Sequence, residues 1–301
     1  MRADAGAAPA DIHVLERGWL SSNNVLLHGA PGEGATLIDS GHVTHAPQTV
    51  ALVAQALQGE PLARIVNTHL HSDHCGGNAS LQRAHPKAQI WIPPGQADAV
   101  ARWDEQALTY TPTGQLCERF QADGLLRPGD VLRTGQRHWQ ALAAPGHDPH
   151  SLILFDAQDG VLISADALWG NGFGVVFPEL EGAQAFDEVA AVLDLIDTLP
   201  VRWVIPGHGA PFGDVAAALQ RARSRLTSFR SEPVRHARFA GKSLLVYHLM
   251  ETGPQPWAAI EAWLASATLM PLIHSRSGQG GASLPWFETL TQELVDQGAL
   301  Q

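Results

Sequence analysis

Residues 63–77 read ARIVNTHLHSDHCGG. An apolar run leads straight into His69, His71, Asp73 and His74 and then into two glycines. With fifteen histidines among 301 residues, an HxHxDH pattern is a rare accident, far rarer than most short motifs. On an extended segment residues i and i+2 point the same way, so His69 and His71 can share one ion. Asp73 and His74 fall in the turn that follows and can face a second ion beside the first. Imidazole nitrogens with carboxylate oxygens form a donor set that suits zinc and also admits iron, manganese or cobalt.

Working outward, three more residues stand in the same kind of place. His147 follows the run HWQALAAPG, Asp166 ends GVLISA, and His208 follows RWVIPG. In open sheets built from strands and helices, ligands gather where strands end. The sequence therefore predicts that these seven residues meet at one edge. Five histidines and two aspartates suffice for two four-coordinate ions if Asp166 bridges them and a water completes the set.

The surrounding periodicity supplies the scaffold. From Ile12 to about Asp39 apolar runs alternate with turns, the pattern of strands and hairpins. Helices are expected over 47–57, 78–84, about 96–108 and 183–199, and from near Asp214. Strands are expected at 63–68, 88–92 and 202–207, with four more between 127 and 166. Tyr110 to Leu126 is less regular and reads as a loop or lid. Strands and helices spread through both halves predict an α/β (α+β) fold of sheets covered by helices. From about Gly241 the texture changes: KSLLVYHLMET, PWAAIEAWLASA and SLPWFETLTQELVDQGAL carry apolar residues at three- and four-residue intervals and read as three packed helices. The expected division is a catalytic domain over 1–230 and a helical extension over 231–301 that serves packing or dimerisation, so a homodimer fits this reading.

Composition narrows the partners. Nineteen basic against thirty acidic residues leave a net charge of −11, which opposes nucleic acid, whose affinity rests on Lys and Arg displacing counterions. Anionic membrane surfaces are disfavoured for the same reason. No window approaches the roughly 20 apolar residues of a membrane-spanning helix. Met1–Asp11 lacks the apolar core of a secretory signal, so the cytoplasm is the expected location. Cys75 and Cys117, the only cysteines, offer neither a disulfide framework nor a CxxC zinc site.

Taken in order, HLHSDH, Gly146-His147, the strand-ending Asp166 and Gly207-His208-Gly209 resemble the signature of the metallo-β-lactamase-fold hydrolase superfamily, over roughly Ile12 to Asp214. The resemblance implies a four-layer αββα sandwich with metals at one edge between the sheets. It implies His69, His71 and His147 on one ion and Asp73, His74 and His208 on the other, with Asp166 bridging. Asp39, in TLIDSG, matches the family's early structural aspartate, expected to brace the site by hydrogen bonds. The tail resembles the winged-helix-like extension of some of these hydrolases. The best-known β-lactamases are exported and carry a cysteine where this chain has Asp166, so antibiotic hydrolysis is disfavoured. Flavo-diiron oxygen reductases carry a glutamate at the position of His71. The glyoxalase II branch is closer, although its glutathione-binding tail is not recognisable here. Where relatives show GHTPGS, this chain has Gly146-His147-Asp148-Pro149-His150-Ser151, which changes the groups around the ligands.

The expected cofactor is a pair of divalent ions, Zn2+ first, with Fe or Mn as alternatives. Such a pair would activate a bridging hydroxide near neutral pH, with Asp73 placed to take and return a proton. The expected reaction is hydrolysis of an ester, thioester or lactone of a small acyl substrate, and no GxSxG elbow suggests serine chemistry instead. Alternatives on the same fold are a mononuclear-iron persulfide dioxygenase and a hydrolase of β-lactamase or nuclease type. Candidates for the substrate pocket are Trp169, Phe173 and Phe177 in the glycine-broken stretch WGNGFGVVFPEL, Tyr110 as an oxyanion donor in the lid-like segment, and His150 three residues past a ligand. The other nine histidines and Cys75 read as ordinary surface or core residues.

Overall fold

A computed structural model describes residues 9–300. The residues before Pro9, part of the segment read above for a secretory signal, lie outside it, as does Gln301. Among the described residues the strands are β1 (Ile12–Leu15), β2 (Asn24–Leu27), β3 (Ala35–Ile38), β4 (Leu62–Val66), β5 (Gln89–Ile92), β6 (Gly124–Leu125), β7 (Val131–Thr134), β8 (Arg137–Ala143), β9 (Leu152–Asp156), β10 (Val161–Ala165) and β11 (Trp203–Pro206). The first six form one sheet in chain order, antiparallel up to β3 and parallel thereafter. The other five form a second sheet in the order β11-β10-β9-β8-β7, with β10 and β11 its one parallel pair. The helices are α1 (Ala46–Leu57), α2 (Ser72–Cys75), α3 (Asn78–Ala84), α4 (Ala97–Arg102), α5 (Tyr110–Thr113), α6 (Phe177–Leu180), α7 (Ala185–Thr198), α8 (Val215–Ser231), α9 (Pro233–Thr252), α10 (Trp257–Ser266), α11 (Leu269–Ser275) and α12 (Ser283–Asp296).

The two-residue period of the strands sorts their side chains into layers. Val25, Leu27, Ile38 and Val66 of the first sheet meet Leu152, Leu154, Val161, Ile163 and Ile205 of the second in a core between the sheets. Their neighbours Leu26, Leu37 and Ile65 point the other way, onto Val53 and Leu57 of α1 and Leu81 of α3. On the far side Ile153, Phe155, Leu162 and Val204 pack under Val189, Leu193 and Leu219 of α7 and α8. Helices, sheet, sheet and helices therefore stack as an αββα sandwich. Strands buried on both faces hold their register because a one-residue slip would exchange the two cores. Each such side chain contributes roughly 1.5–3 kcal/mol by leaving water.

Local chemistry sets the helix ends. Pro47 opens α1, and Gln58 in the left-handed region followed by Gly59 closes it. The Asp214 carboxylate accepts from the Ala217 N–H at 3.2 Å at the start of α8. Where the structure departs from the sequence reading, the cause is local. The helix expected to reach about residue 108 stops at Arg102, because Trp103 turns left-handed and its N–H bonds back to the carbonyl of Val100. The irregular stretch after it holds the short α5, and β6 adds an edge strand to the first sheet. The tail holds four helices rather than three: α9 starts at Pro233, well before Gly241, and α11 has too few turns to show a period. These four enclose a further core in which Leu245, Met270, Ile273 and Phe287 meet Val175 and Leu180 from the sandwich.

Candidate metal centre

All seven predicted ligands lie just beyond the carboxyl ends of strands. His69, His71, Asp73 and His74 follow β4, His147 follows β8, Asp166 follows β10 and His208 follows β11. They form two groups: His69, His71 and His147 in one, and Asp73, His74, Asp166 and His208 in the other, the donor atoms of each within 4.8 Å of one another. In the first group His71 Nδ1 stands 3.1 Å from His69 Nε2 and 2.8 Å from His147 Nε2. Burial, reinforced by the neighbouring imidazole of His147, holds the His71 ring down to about 4. Burial and the surrounding histidines likewise hold His69 well below its ordinary value. The three rings thus each turn a nitrogen toward one place.

Asp166 reaches both groups. Its Oδ2 is 3.3 Å from His147 Nε2, and its Oδ1 is 3.4 Å from His74 Nε2. Two backbone features aim it. The register of β10 against β11 shifts after Ile163, and Ala165 takes a left-handed φ of 45°, a conformation seldom adopted by residues with a side chain and often found at functional sites. Gly207 supplies space, since a Cβ there would sit 2.2 Å from Asp166 Oδ1. Burial opposes the charge on Asp166, yet His74 and His208 hold its carboxyl well below the usual range.

Asp39 stands behind this pair of groups, itself at a left-handed φ of 56°. Its Oδ1 accepts from the Thr68 N–H at 2.8 Å. Its Oδ2 accepts from the Thr68 hydroxyl and from His74 Nδ1, both at 2.8 Å. With Nδ1 so occupied, His74 Nε2 is left buried and without a hydrogen-bond partner, facing Asp73 and Asp166. A buried nitrogen in that state costs free energy unless something pairs with it, and a metal ion taking the place of a proton there fits that need. Burial alone would depress His74, but Asp166, Asp39 and Asp73 together hold it well above its ordinary value, which marks the negative potential that a cation would meet here. His147 Nδ1 is likewise held outside the cluster, 2.5 Å from the Val175 carbonyl. Histidine ligands held through their second nitrogen in this way keep their orientation.

A cavity of about 1310 Å³ opens onto His71, Asp73, His147, Asp166 and His208. Trp169 and Phe177 line it as the sequence suggested. The Trp169 indole N–H donates to Asp166 Oδ1 at 3.2 Å, and Phe177 sets its ring edge-on to His71 at 5.3 Å between centroids. Phe173 does not line it, being 1% exposed in the core edge-on to Phe229. Tyr110 is also corrected: its hydroxyl donates to the Leu70 carbonyl at 2.9 Å and touches Cys75, so it is a core residue with its donor spent. His150 packs over Gly95 while its backbone N–H donates to Asp148 Oδ1 at 2.7 Å. Asp148 in turn places Oδ2 3.9 Å from the outer nitrogen of His71.

Two aromatic residues escaped the sequence reading. Trp19 lies parallel over the His208 ring, 5.5 Å away, while remaining 53% exposed. Tyr247 comes from α9, and its hydroxyl donates to Asp73 Oδ2 at 3.0 Å and lies 3.4 Å from His208 Nε2. Burial, with Asp73 and Asp166 nearby, pushes this phenol well up, so it stays protonated and donates. Nothing in KSLLVYHLMET marks Tyr247 apart from its neighbours.

The fold agrees with what comparison finds. The profile of the metallo-beta-lactamase superfamily matches residues 17–208, and the chain belongs to that superfamily. Among curated proteins it is similar to a hydroxyacylglutathione hydrolase of Rhodopseudomonas palustris, 32% identical over 172 residues that make up 56% of each chain. It is also similar to the human acyl-coenzyme A thioesterase MBLAC2, 27% identical over 157 residues covering 49% of this chain and 56% of that one. The chain thus spans a little over half the length of these relatives. Among solved structures, a beta-lactamase domain protein from Burkholderia ambifaria superposes with a TM-score of 0.61 at 21% identity over 92% of both chains.

Proposed function

We propose that this protein is a dinuclear metal-dependent hydrolase that cleaves an ester, thioester or lactone of an acyl substrate. The observation that carries the reading is Asp166, one carboxylate directed at two adjacent donor groups. The two curated relatives, both named as hydrolases of thioester-bearing compounds, support the same class of reaction. In this reading His69, His71 and His147 would hold one divalent ion and Asp73, His74 and His208 the other, with Asp166 between the two groups. When bound, such ions supply a hydroxide at neutral pH and polarise an acyl carbonyl. Asp73 lies against the open cavity, where its carboxylate orients the attacking water and carries its proton to the leaving atom. Tyr247 donates to that carboxylate and fixes its rotamer. Trp169 does the same for Asp166. Phe177 and Trp19 pack against the rings of His71 and His208 and form apolar wall beside the reacting carbonyl.

The test is Asp166→Ala, read by metal analysis and by turnover of a panel of thioesters, esters and lactones. Wild type should hold two ions per chain. The variant should lose at least one of them and about a hundredfold or more in turnover, as when a transition-state charge stabiliser is removed. Two ions and full turnover in the variant would sink the assignment. One iron per wild-type chain, with sulfite formed from a persulfide, would replace it with the dioxygenase reading.

A further inference from the structure

The cavity that reaches the donor groups is larger than a small acyl group needs. Its volume of about 1310 Å³ exceeds the roughly 300–1,000 Å³ usual for sites that bury drug-sized ligands. Beyond the donor groups its lining passes into the C-terminal helices, with Leu244, Val246 and Leu249 of α9, Ile260 of α10, Leu269 of α11 and Leu294 of α12. Those side chains offer no hydrogen bonds, so the cavity they form rewards apolar occupants. Among the described residues six large hydrophobic side chains are exposed, and three of them, Trp19, Met250 and Val295, line this same cavity. Apolar groups left open to solvent in one place mark a site that something apolar covers. At the donor-group end the cavity presents Asp73, Asp166 and Tyr247, whose hydroxyl donates to Asp73, while Gln115, Glu181, Arg225, Lys242 and Gln255 add polar side chains elsewhere along its lining.

We propose that the C-terminal helices hold the alkyl chain of the substrate while its carbonyl lies at the donor groups, so that the substrates are medium- to long-chain acyl esters or thioesters. The chemistry rests on the hydrolase reading; the site for the chain rests on the cavity alone. Water adds its oxygen to the acyl carbon, the acyl–oxygen or acyl–sulfur bond breaks, and the leaving atom departs with the proton relayed through Asp73. The products are a fatty acid and an alcohol or thiol. No oxidant or further co-reactant is required.

The experiment measures kcat/KM of the metal-loaded protein on unbranched acyl esters and thioesters from about two to about sixteen carbons, kept below their micelle-forming concentrations. Alongside it, binding of the unreactive N-methyl amides of the same chains is followed by calorimetry. Each methylene that leaves water should raise kcat/KM by up to about fourfold, until the cavity is filled. Amide affinity should climb in parallel. Leu244→Trp and Ile260→Trp, each checked for native circular dichroism, should shift the optimum to shorter chains. Vigorous hydrolysis that is flat or falling from the shortest chain onward would overturn the proposal, as would an unchanged chain-length profile in folded variants. If no chain is hydrolysed yet amide affinity still rises with length, the hydrolase reading fails and the chain site stands.

Discussion

Tyr247 is the residue whose placement depends most on the fold, since it enters the site from a helix 174 positions beyond Asp73. A hydrogen bond to a charged carboxylate is worth roughly 1.5–3 kcal/mol when its loss leaves the partner underbonded. Tyr247→Phe should therefore lower kcat about tenfold to a hundredfold while metal content stays at the wild-type level, because no donor atom has been removed. A steady-state comparison of kcat and KM, with metal analysis of the same samples, checks this. Unaltered kcat would reduce Tyr247 to a packing residue. Asp39 acts at one remove in the same way. Both its oxygens already accept, from Thr68 and from His74, so its role is to fix the His74 ring.

At the scale of an element, the one-turn helix α2 and the glycines after it decide whether the donor groups assemble. His74 sends its carbonyl to the Ser40 N–H at 2.7 Å, and the Gly77 N–H reaches the Gly41 carbonyl at 3.0 Å. The loop after β3 and the loop after β4 are thereby sewn together. A Cβ at Gly77 would lie 2.2 Å from the Ser40 carbonyl oxygen, which is backbone and cannot swing aside. The φ of −82° at Gly77 is ordinary, so this glycine is needed for closeness and not for backbone freedom. Gly77→Ala should cost about 1–3 kcal/mol or more through overpacking and should weaken metal retention by displacing His74. Gly18→Ala, where nothing lies within 4 Å of the added carbon, should be neutral. Urea unfolding of the two variants side by side tests the contrast.

Across the whole molecule, the C-terminal helices are joined to the sandwich by buried polar contacts as well as by apolar ones. His236 of α9 accepts from the Val176 N–H at 3.1 Å, and Glu251 stands 3.4 Å from His42 with both side chains buried. Burial pushes the His236 imidazole down to about 4, which keeps it neutral and able to accept. In the unfolded chain the same ring takes a proton near 6.5. Stability from the neutral ring is therefore complete above about pH 6.5, declines as the pH falls through that value, and is exhausted near pH 4, an overall loss of about 3 kcal/mol. Thermal unfolding of wild type between pH 7 and 4.5 should show this decline. His236→Gln, which cannot titrate, should show a shallower one. Equal slopes would remove His236 as the cause. No helix among the described residues is long and apolar enough to cross a membrane.

The cluster of seven donors was legible in the sequence because side chains that can share an ion at strand ends stand at short, fixed spacings, and HLHSDH, Gly146-His147, Asp166 and His208 each sit at or just after an apolar run. The layered sandwich was legible for a related reason: strands buried on both faces read as nearly continuous apolar runs, as LILFD of β9 and VLISA of β10 do, both buried along their full length. Short elements were not legible. The seven residues of α11 make about two turns, too few for a period, and β6 pairs through only two residues. Nor could local pattern separate Phe173 from Phe177, four positions apart, one of which faces the core and the other the cavity. Tyr110 read as a lid residue and is buried with its hydroxyl already satisfied by Leu70. The sequence alone thus determined which donors exist and where along the chain they stand, since that chemistry is local. Tertiary structure alone decided that Tyr247 meets Asp73 and that an apolar cavity continues from the donor groups into the last four helices, because those contacts depend on how distant elements pack and leave no trace in spacing.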